Sequence, residues 1–268
     1  MDALHEKKQR LEDYLRSLGS VAVAFSSGVD STFLLKVAHS VLGDKAIAVT
    51  VRAPMVPDRE LGEARDFCRA LGVEQVVADV PVLELEAFEK NPPDRCYHCK
   101  KALFTKIQAI ARERGIAYVA EGSNVDDTGD YRPGLMAVAE LDIKSPLREA
   151  GLTKADIRAL SQELGLPTWD KPSFACLASR FVYGETITAE KLTMVDRAEQ
   201  RLLDLGFGQF RVRIHGDLAR IEVEPAEFEK VIQAAQELNA YLRELGFLYV
   251  TLDLGGYQMG SMNRALES

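Results

Sequence analysis

The sequence contains no long apolar run, and this excludes several classes of protein. No stretch approaches the roughly 20 consecutive apolar residues that a membrane-spanning helix needs. Residues 1–16 are charged and read as a helix without an apolar centre, so they do not resemble a signal peptide. We therefore expect a cytoplasmic protein that does not bind membranes.

An excess of positive charge is also absent. The 268 residues carry 33 Lys and Arg against 41 Asp and Glu, which gives a net charge of −8 at pH 7. Because such a chain has no overall attraction for phosphate backbones, we expect a small-molecule substrate and no nucleic-acid partner. A hydrophobic content of 47% with 28% charged residues is typical of a globular protein with room for one large or two ordinary domains.

Cysteine is scarce, with four residues in the chain. In a cytoplasmic protein they indicate thiols, metal ligands or catalytic groups rather than disulfides. Cys68 belongs to the apolar face of a predicted helix over residues 58–71, so we expect it to be a small buried hydrophobe.

The other three cysteines suggest a metal centre. Cys96 and Cys99 form a Cys-x-x-Cys pair that can bind one metal, and the distant Cys176 can complete a set of three thiols. Zinc would need a fourth donor such as His98, whereas a cubane iron–sulfur cluster with three thiolates leaves one iron open. Positive neighbours of Cys176, Lys171 and Arg180, would favour its thiolate and make it a nucleophile or a ligand.

The most informative stretch is residues 21–32. An apolar run over residues 21–25 predicts a buried parallel strand, and the small residues Ser26, Ser27 and Gly28 follow it. Helical spacing of apolar residues begins directly afterwards, so backbone N–H groups of the turn lie at a helix N-terminus, where an anion is favoured. The Gly-Lys-Ser/Thr of a Walker loop is missing. The turn instead resembles the Ser-Gly-Gly-x-Asp-Ser-Thr loop of the ATP pyrophosphatase (PP-loop) superfamily, with Ser27 at the usual first glycine.

The first part of the chain predicts an α/β fold with a doubly wound parallel sheet. Strands and helices alternate, and a polar loop at Gly122–Asp127 follows the predicted fourth strand as the turn at Ser26 follows the first. Ligands of such sheets bind at the carboxyl ends of strands, so we expect both loops to face one pocket. The predicted strands cover residues 21–25, 46–52, 74–83, 117–121 and 143–146, and the later helices cover residues 102–114 and 154–164.

The composition changes near residue 186, which predicts a domain boundary between residues 1–186 and 187–268. Thr188 can cap a long helix, and two strands over residues 210–214 and 218–223 follow it. A helix over residues 225–245 and a strand over residues 248–254 complete a smaller α-β-β-α-β domain of the α+β type. We expect residues 256–268 to form a mobile tail.

Five segments together resemble the LarE family of ATP-dependent sulfur transferases. They are residues 26–32, residues 130–134, residues 171–184, Arg211-Val212-Arg213 and residues 251–257. The resemblance spans nearly the whole chain and implies the adenine nucleotide alpha hydrolase-like fold. It further implies that ATP adenylates a carboxylate of a pyridinium dicarboxylate mononucleotide and that sulfur then makes a thiocarboxylate. Two rounds give the bisthiocarboxylate precursor of the nickel-pincer nucleotide cofactor.

The resemblance also suggests roles for individual residues. The pyrophosphate of ATP would be held by Ser26, Ser27, Gly28, Ser31 and Thr32, with Gly122 and Asp127 in the same nucleotide site. Asp30 is the candidate for Mg²⁺. A 4Fe-4S cluster would be held by Cys96, Cys99 and Cys176, and the substrate carboxylate by Ser179 and Arg180, with Glu199 as a weaker candidate. Arg211 and Arg213 would bind the substrate phosphate, although the pattern alone equally favours pairing with Glu222 or Glu224.

Several alternatives remain open at this point. Family members supply sulfur either from a sacrificial cysteine that becomes dehydroalanine or through a three-cysteine cluster; we favour the cluster and keep Cys176 as the alternative donor. Sulfide or a sulfur-donor protein would be a partner, and a homo-oligomer is implied. Other members of the superfamily are tRNA thiolases and amidotransferases, and a nucleotide sensor without catalysis is a further alternative.

Overall fold

The structure, a computed structural model, describes residues 2–129, 133–172 and 174–262. Three positions of the 130–134 motif, Asp130, Tyr131 and Arg132, lie outside the described residues, as do Ser173 and residues 263–268 of the predicted tail. Within the described part of the chain, no helix has both the length and the apolar character needed to cross a membrane.

Helices and strands alternate along the first half of the chain. In the second half, several helices or two strands follow one another directly. In chain order the elements are α1 (Ala3–Leu18), β1 (Val21–Ala24), α2 (Val29–Leu42), β2 (Ala46–Arg52), α3 (Asp58–Leu71), β3 (Gln75–Asp79), α4 (Glu86–Glu89), α5 (Arg95–Glu113), β4 (Tyr118–Ala120), α6 (Gly134–Glu140), α7 (Pro146–Glu149), α8 (Lys154–Glu163), α9 (Ala189–Asp204), β5 (Phe210–His215), β6 (Leu218–Val223), α10 (Phe228–Gln233), α11 (Ala235–Glu244) and β7 (Tyr249–Leu252).

The first sheet is parallel throughout and has the strand order β3-β2-β1-β4. The order reverses beside β1, because the chain first builds outward through β2 and β3 and then returns to place β4 on the other side. Val21 pairs with Ala46 on one side and Tyr118 on the other. This arrangement confirms the predicted doubly wound sheet, whose binding crevice lies at the carboxyl ends of β1 and β4.

Both faces of β1 are buried, which explains its continuous apolar sequence. Val21 and Val23 point into one core cluster with Phe33 of α2, whereas Ala22 points into another with Phe104 of α5. Successive side chains of a strand alternate between faces, so a strand covered on both sides needs apolar residues at every position.

Three predicted boundaries were wrong in this region. The strand expected over residues 74–83 ends at Asp79, and Val82–Glu84 forms a short 3-10 turn. The expected strand over residues 143–146 is a single parallel bridge between Lys144 and Ala120, because Pro146 lacks an N–H and opens α7 instead. The helix expected from residue 102 begins at Arg95, shortly after Pro92 and Pro93, and this places both thiols of the Cys-x-x-Cys pair within its first two turns.

The chain forms two compact units that are interleaved in sequence. One contains Met1–Pro81 and Cys96–Phe174, and the other contains Val82–Arg95 and Ala175–Ser268. In the second unit, the backbone N–H of Ile187 donates to the carbonyl of Glu89 at 2.8 Å, which ties the short segment to the longer one. The boundary expected at residue 186, between domains of residues 1–186 and 187–268, stays a prediction.

The second unit contains a sheet of order β5-β6-β7. Strands β5 and β6 are antiparallel, and β6 and β7 are parallel. Thr188 caps α9 as predicted, since its side chain accepts from the N–H of Lys191. The single helix expected over residues 225–245 is divided into a short 3-10 turn, α10 and α11, with the break at Ala234.

Candidate functional site

The turn between β1 and α2 is built to expose backbone donors. Gly28 is the residue before α2, and no side chain among the described residues caps the helix there. Ser31 donates its hydroxyl to the Gly28 carbonyl at 3.2 Å and lies 3.1 Å from the Ser26 hydroxyl. Thr32 is fully buried, and its Oγ1 has no hydrogen-bond partner in the part of the chain that the structure describes. An orphaned hydroxyl at an uncapped helix start fits a bound anion.

Ser27 has a left-handed backbone conformation, with φ of 54°. Its side chain is buried, and Oγ donates to the Glu60 carbonyl of α3 at 3.2 Å. The carbonyl of Ser27 accepts from Lys171 at 3.1 Å, and Lys171 also pairs with Glu63. The side chain at this position therefore anchors the turn to α3 in a conformation that glycine adopts more readily.

The loop after β4 meets the start of α2. A Cβ added to Gly122 would lie 3.2 Å from the Asp30 Cβ and from the Ser31 nitrogen, so only glycine allows this approach without displacement. Asn124 donates to Asp30 at 3.2 Å through its side-chain amide. Its backbone N–H donates to the Asp127 carboxylate at 2.9 Å, which closes the turn. The two loops expected to face one pocket thus touch at the carboxyl ends of adjacent strands.

Asp30, the expected Mg²⁺ ligand, forms an ion pair with Lys154 at the start of α8. Its carboxylate is about one-fifth exposed, so a ligand can reach it. The backbone N–H of Lys154 donates to Asp126 at 2.8 Å, which holds the lysine over the site. Lys154 is therefore a cation beside the turn between β1 and α2, and the sequence did not predict it as a site residue.

The four cysteines carry thiols in different surroundings. Cys68 is 2% exposed, and burial raises the pKa of its thiol to about 12, which confirms it as a buried hydrophobe. Cys96 is exposed and Cys99 is 8% exposed. Because they are three positions apart near the start of α5, their side chains lie on one face of the helix and can offer two ligands.

No group of three or more His, Cys, Asp and Glu side chains that could hold a metal ion is found among the described residues. Cys176, the expected third ligand, is exposed and belongs to the second unit. The three-cysteine metal site therefore stays a prediction, with two of its members on one helical turn.

Arg180 clamps the segment that contains Cys176. Its Nη1 donates to the carbonyl oxygens of Ala175 at 2.5 Å and Cys176 at 3.0 Å, and to the Ser179 hydroxyl at 2.9 Å. The other side of the guanidinium forms two bonds of 2.8 and 2.7 Å with Glu199. Arg180 thus holds Cys176 and Ser179 in a fixed arrangement.

Glu199 is fully buried and is not a solvated position of its helix. Desolvation raises the pKa of this carboxyl, but attraction to Arg180 and hydrogen bonds from Arg180 and the Val212 N–H outweigh it, and the pKa lies below its usual value of 4.5. The ion pair connects the Cys176 segment, α9 and β5. A helical glutamate that faces an apolar stripe with Val195, Ala198 and Leu202 was a signal for this burial.

Arg211 and Arg213 both line a pocket in the second unit. Arg213 pairs with Glu222 at 2.9 Å, one of the two partners that the strand pattern favoured, and donates to the Ser261 hydroxyl at 3.1 Å. Arg211 lies 5.0 Å from the ring centre of Tyr257. Burial and the nearby charge of Arg180 lower the pKa of Arg211 to about 10, so it remains a cation at neutral pH.

Comparison with known proteins decides the family. Over 267 residues the chain is 41% identical to pyridinium-3,5-bisthiocarboxylic acid mononucleotide synthase of Lactiplantibacillus plantarum, with 99% of this chain and 97% of that protein covered. This chain belongs to the LarE family. An uncharacterized protein of Synechocystis is 43% identical over 265 residues, covering 98% of this chain and 99% of its own. No family model matches.

A more distant similarity connects this LarE protein to the PP-loop superfamily. Argininosuccinate synthase of Haloarcula marismortui is 34% identical over 160 residues, which covers 56% of this chain and 38% of that synthase. This similarity and the parallel sheet support the adenine nucleotide alpha hydrolase-like fold. The chain is an ATP-dependent sulfurtransferase that takes part in nickel-pincer cofactor biosynthesis.

Lys154 and Asn124, which both contact Asp30, are candidate site residues that the sequence did not predict. Asn124 lies in a loop that was recognised as polar without a role for each side chain. Lys154 had a signal of its own, since a cation in the first turn of a helix opposes the helix dipole and needs a nearby anion. Asp30 supplies that anion.

Proposed function

We propose that this LarE protein uses ATP to adenylate the carboxylates of a pyridinium dicarboxylate mononucleotide and replaces one oxygen of each with sulfur. The observation that carries the proposal is the 41% identity, over almost the full length of both chains, to a pyridinium-3,5-bisthiocarboxylic acid mononucleotide synthase. Two rounds on one molecule would give the bisthiocarboxylate precursor of the nickel-pincer cofactor.

Adenylation overcomes the low reactivity of a carboxylate. A carboxylate oxygen attacks the α-phosphorus of ATP, the bond to the β-phosphate oxygen breaks, and pyrophosphate leaves. Sulfide then attacks the acyl carbon of the acyl-adenylate, and AMP leaves with one former carboxylate oxygen. The product is a thiocarboxylate, and no oxidant or reductant is consumed.

The turn at the start of α2 would hold the departing pyrophosphate. Its uncapped N–H groups, the Ser31 hydroxyl and the buried Thr32 Oγ1 offer the required donors. Asp30 offers Mg²⁺ a carboxylate that is about one-fifth exposed, and the charge of the cation would offset that of the phosphates. Lys154 would be released from Asp30 when the cation binds and would then face the phosphates.

The second unit would hold the substrate and the sulfur-handling cysteine. Arg211 and Arg213 line a pocket suited to the phosphate of the mononucleotide. Ser179 lines the same pocket. Arg180 is bonded to Glu199 and to three acceptors of the Cys176 segment, which supports a role in positioning Cys176 and Ser179.

We place the 4Fe-4S cluster of the cluster-type LarE proteins on Cys96, Cys99 and Cys176. When bound, such a cluster provides an iron that can carry sulfide. Support comes from the Cys96 and Cys99 thiols, which lie on one face of α5 near its start. Anaerobically purified Cys96→Ser, Cys99→Ser and Cys176→Ser variants should each lose most of the iron that the parent protein contains. Cys68→Ala is the control and should retain it; full iron content in the three serine variants would refute the ligand assignment.

A pyrophosphate-release assay tests the activity. ATP should yield AMP and pyrophosphate when the pyridinium dicarboxylate mononucleotide is present, and neither tRNA nor ammonia should replace it. Release that depends on ammonia would identify an amidotransferase, and release that depends on tRNA would identify a tRNA thiolase. ATP binding without any pyrophosphate would indicate a nucleotide sensor.

A further inference from the structure

Arg95 is an unassigned arginine in the substrate unit. It is 5% exposed, and its side chain lines the same pocket as Arg211 and Arg213. Nη1 donates to the Ala178 carbonyl at 2.9 Å and to the side-chain oxygen of Asn91. Arginine is rarely buried to this degree without a charge to bind or a network to complete.

The support beneath Arg95 is rigid. Asn91 is fully buried and has a left-handed φ of 51°, which asparagine tolerates better than most residues with a side chain. Its side-chain amide donates to the Val182 carbonyl at 2.6 Å, and its own carbonyl accepts from the Gly184 N–H at 2.9 Å. These contacts hold the guanidinium of Arg95 in place before any ligand arrives.

The charge of the pocket favours an anion. Its lining includes three guanidinium groups and, among the described residues, no carboxylate. Of the buried carboxylates nearby, Glu199 pairs with Arg180, which does not line the pocket, whereas Glu222 bridges Arg213 and Arg220 and offsets part of the charge of Arg213. An anion in the pocket would be stabilised by several guanidinium groups at once.

We propose that Arg95 binds the phosphate group of the substrate together with Arg211 and Arg213. The anion site is inferred from the pocket alone, whereas its assignment to a mononucleotide phosphate rests on the proposed function. Arg95 is then a substrate-binding residue at the start of the helix that carries Cys96 and Cys99.

Calorimetry with three probes tests the proposal: inorganic phosphate, nicotinic acid mononucleotide, and the corresponding riboside without phosphate. Arg95→Gln should weaken binding of the first two about tenfold to a hundredfold, the usual effect of one charge-assisted contact. Riboside binding should not change. Arg201→Gln removes the same charge from an exposed part of α9 outside the pocket and should change none of the three.

An equal loss for mononucleotide and riboside would mean that Arg95 acts only through the fold, and an unchanged affinity for phosphate would overturn the proposal as well. Arg95→Lys keeps the positive charge but loses the two-pronged geometry of the guanidinium group. It should fold even if Arg95→Gln does not, and it should bind phosphate more weakly than the parent protein. Phosphate binding that depends on Arg95 without pyrophosphate release from ATP would refute the proposed reaction and leave the anion site standing. Pyrophosphate release from ATP together with phosphate binding that does not depend on Arg95 would refute the anion site alone.

Discussion

At the scale of single residues, the side chains that matter most are those in unusual local surroundings. Ser27 occupies a left-handed conformation at the phosphate turn, and Glu199 is a fully buried carboxylate. Each is stable only because a specific partner compensates it. The Glu60 carbonyl accepts from Ser27, and Arg180 neutralises Glu199.

Ser27→Gly and Ser27→Ala separate backbone strain from hydrogen bonding. Both variants lose the bond to Glu60, which costs about 1 kcal/mol. Glycine recovers about 1 kcal/mol or more because it accepts the left-handed φ, whereas alanine recovers nothing. Urea unfolding should therefore show the glycine variant close to the parent and the alanine variant less stable by about 1 kcal/mol. Equal stability of the two variants would contradict the strained conformation.

Glu199→Gln should destabilise the protein by about 3–5 kcal/mol, because it leaves the buried Arg180 without its counter-charge. The matched control is Asp79→Asn, which breaks an exposed pair with Arg52 and should cost less than about 1 kcal/mol. Because the pKa of Glu199 is lower in the folded protein than its usual value of 4.5, its contribution is present above about pH 4.5 and is lost as the pH falls through the folded pKa. Denaturant unfolding at pH 7 and at pH 3 measures both effects, and a penalty unchanged by acid would contradict the assignment.

The cysteines should differ in reactivity toward a thiol reagent. In iron-free protein, Cys96 and Cys176 should react first because they are exposed. Cys68 should react only after unfolding, since burial restricts access and raises its thiol pKa to about 12. Iron loading should protect Cys96 and Cys176 and leave Cys68 unchanged. Peptide mapping after timed labelling gives the order in which the cysteines are modified. Early modification of Cys68 would contradict its buried position.

At the scale of elements, the site depends on how closely the loop after β4 approaches the start of α2. Gly122→Ala should push these apart, because the added methyl group meets backbone and Cβ atoms at 3.2 Å. Overpacking of this kind costs about 1–3 kcal/mol, so ATP affinity should fall about tenfold or more while phosphate binding in the second unit is unchanged. Gly62→Ala is the control, since nothing lies within 4 Å of the new methyl group in α3. Unchanged ATP affinity in Gly122→Ala would exclude this loop from the nucleotide site.

The elements also show what the sequence could predict. The run over residues 21–25, the limits of α3 and the Thr188 cap were predictable because each depends on neighbours along the chain. The early start of α5 was missed because residues 95–101 are mostly polar and show no clear apolar periodicity, although Pro92 and Pro93 come shortly before the helix start. The burial of Glu199 and the pairing of Lys154 with Asp30 depend on residues that are distant in sequence, and no local pattern names the partner.

At the scale of the whole molecule, the two units divide the chemistry that we propose. The first contains the ATP turn and the Cys96–Cys99 pair, and the second contains Cys176 and the arginine pocket. The expected homo-oligomer and the Mg²⁺ ion stay predictions. The division makes the proposed reaction depend on both units, so loss of the proposed binding residues of either unit should impair sulfur transfer.

Mass spectrometry after multiple turnovers tests the central claim most directly. Iron-loaded protein is incubated anaerobically with ATP, sulfide and the pyridinium dicarboxylate mononucleotide. The molecular masses of the nucleotide product and of the intact protein are then measured. We predict thiocarboxylate in excess over enzyme, release of AMP and pyrophosphate, and a protein of unchanged mass. A single turnover that leaves Cys176 without its sulfur would contradict the cluster route, and a product that contains no sulfur would contradict the reaction itself.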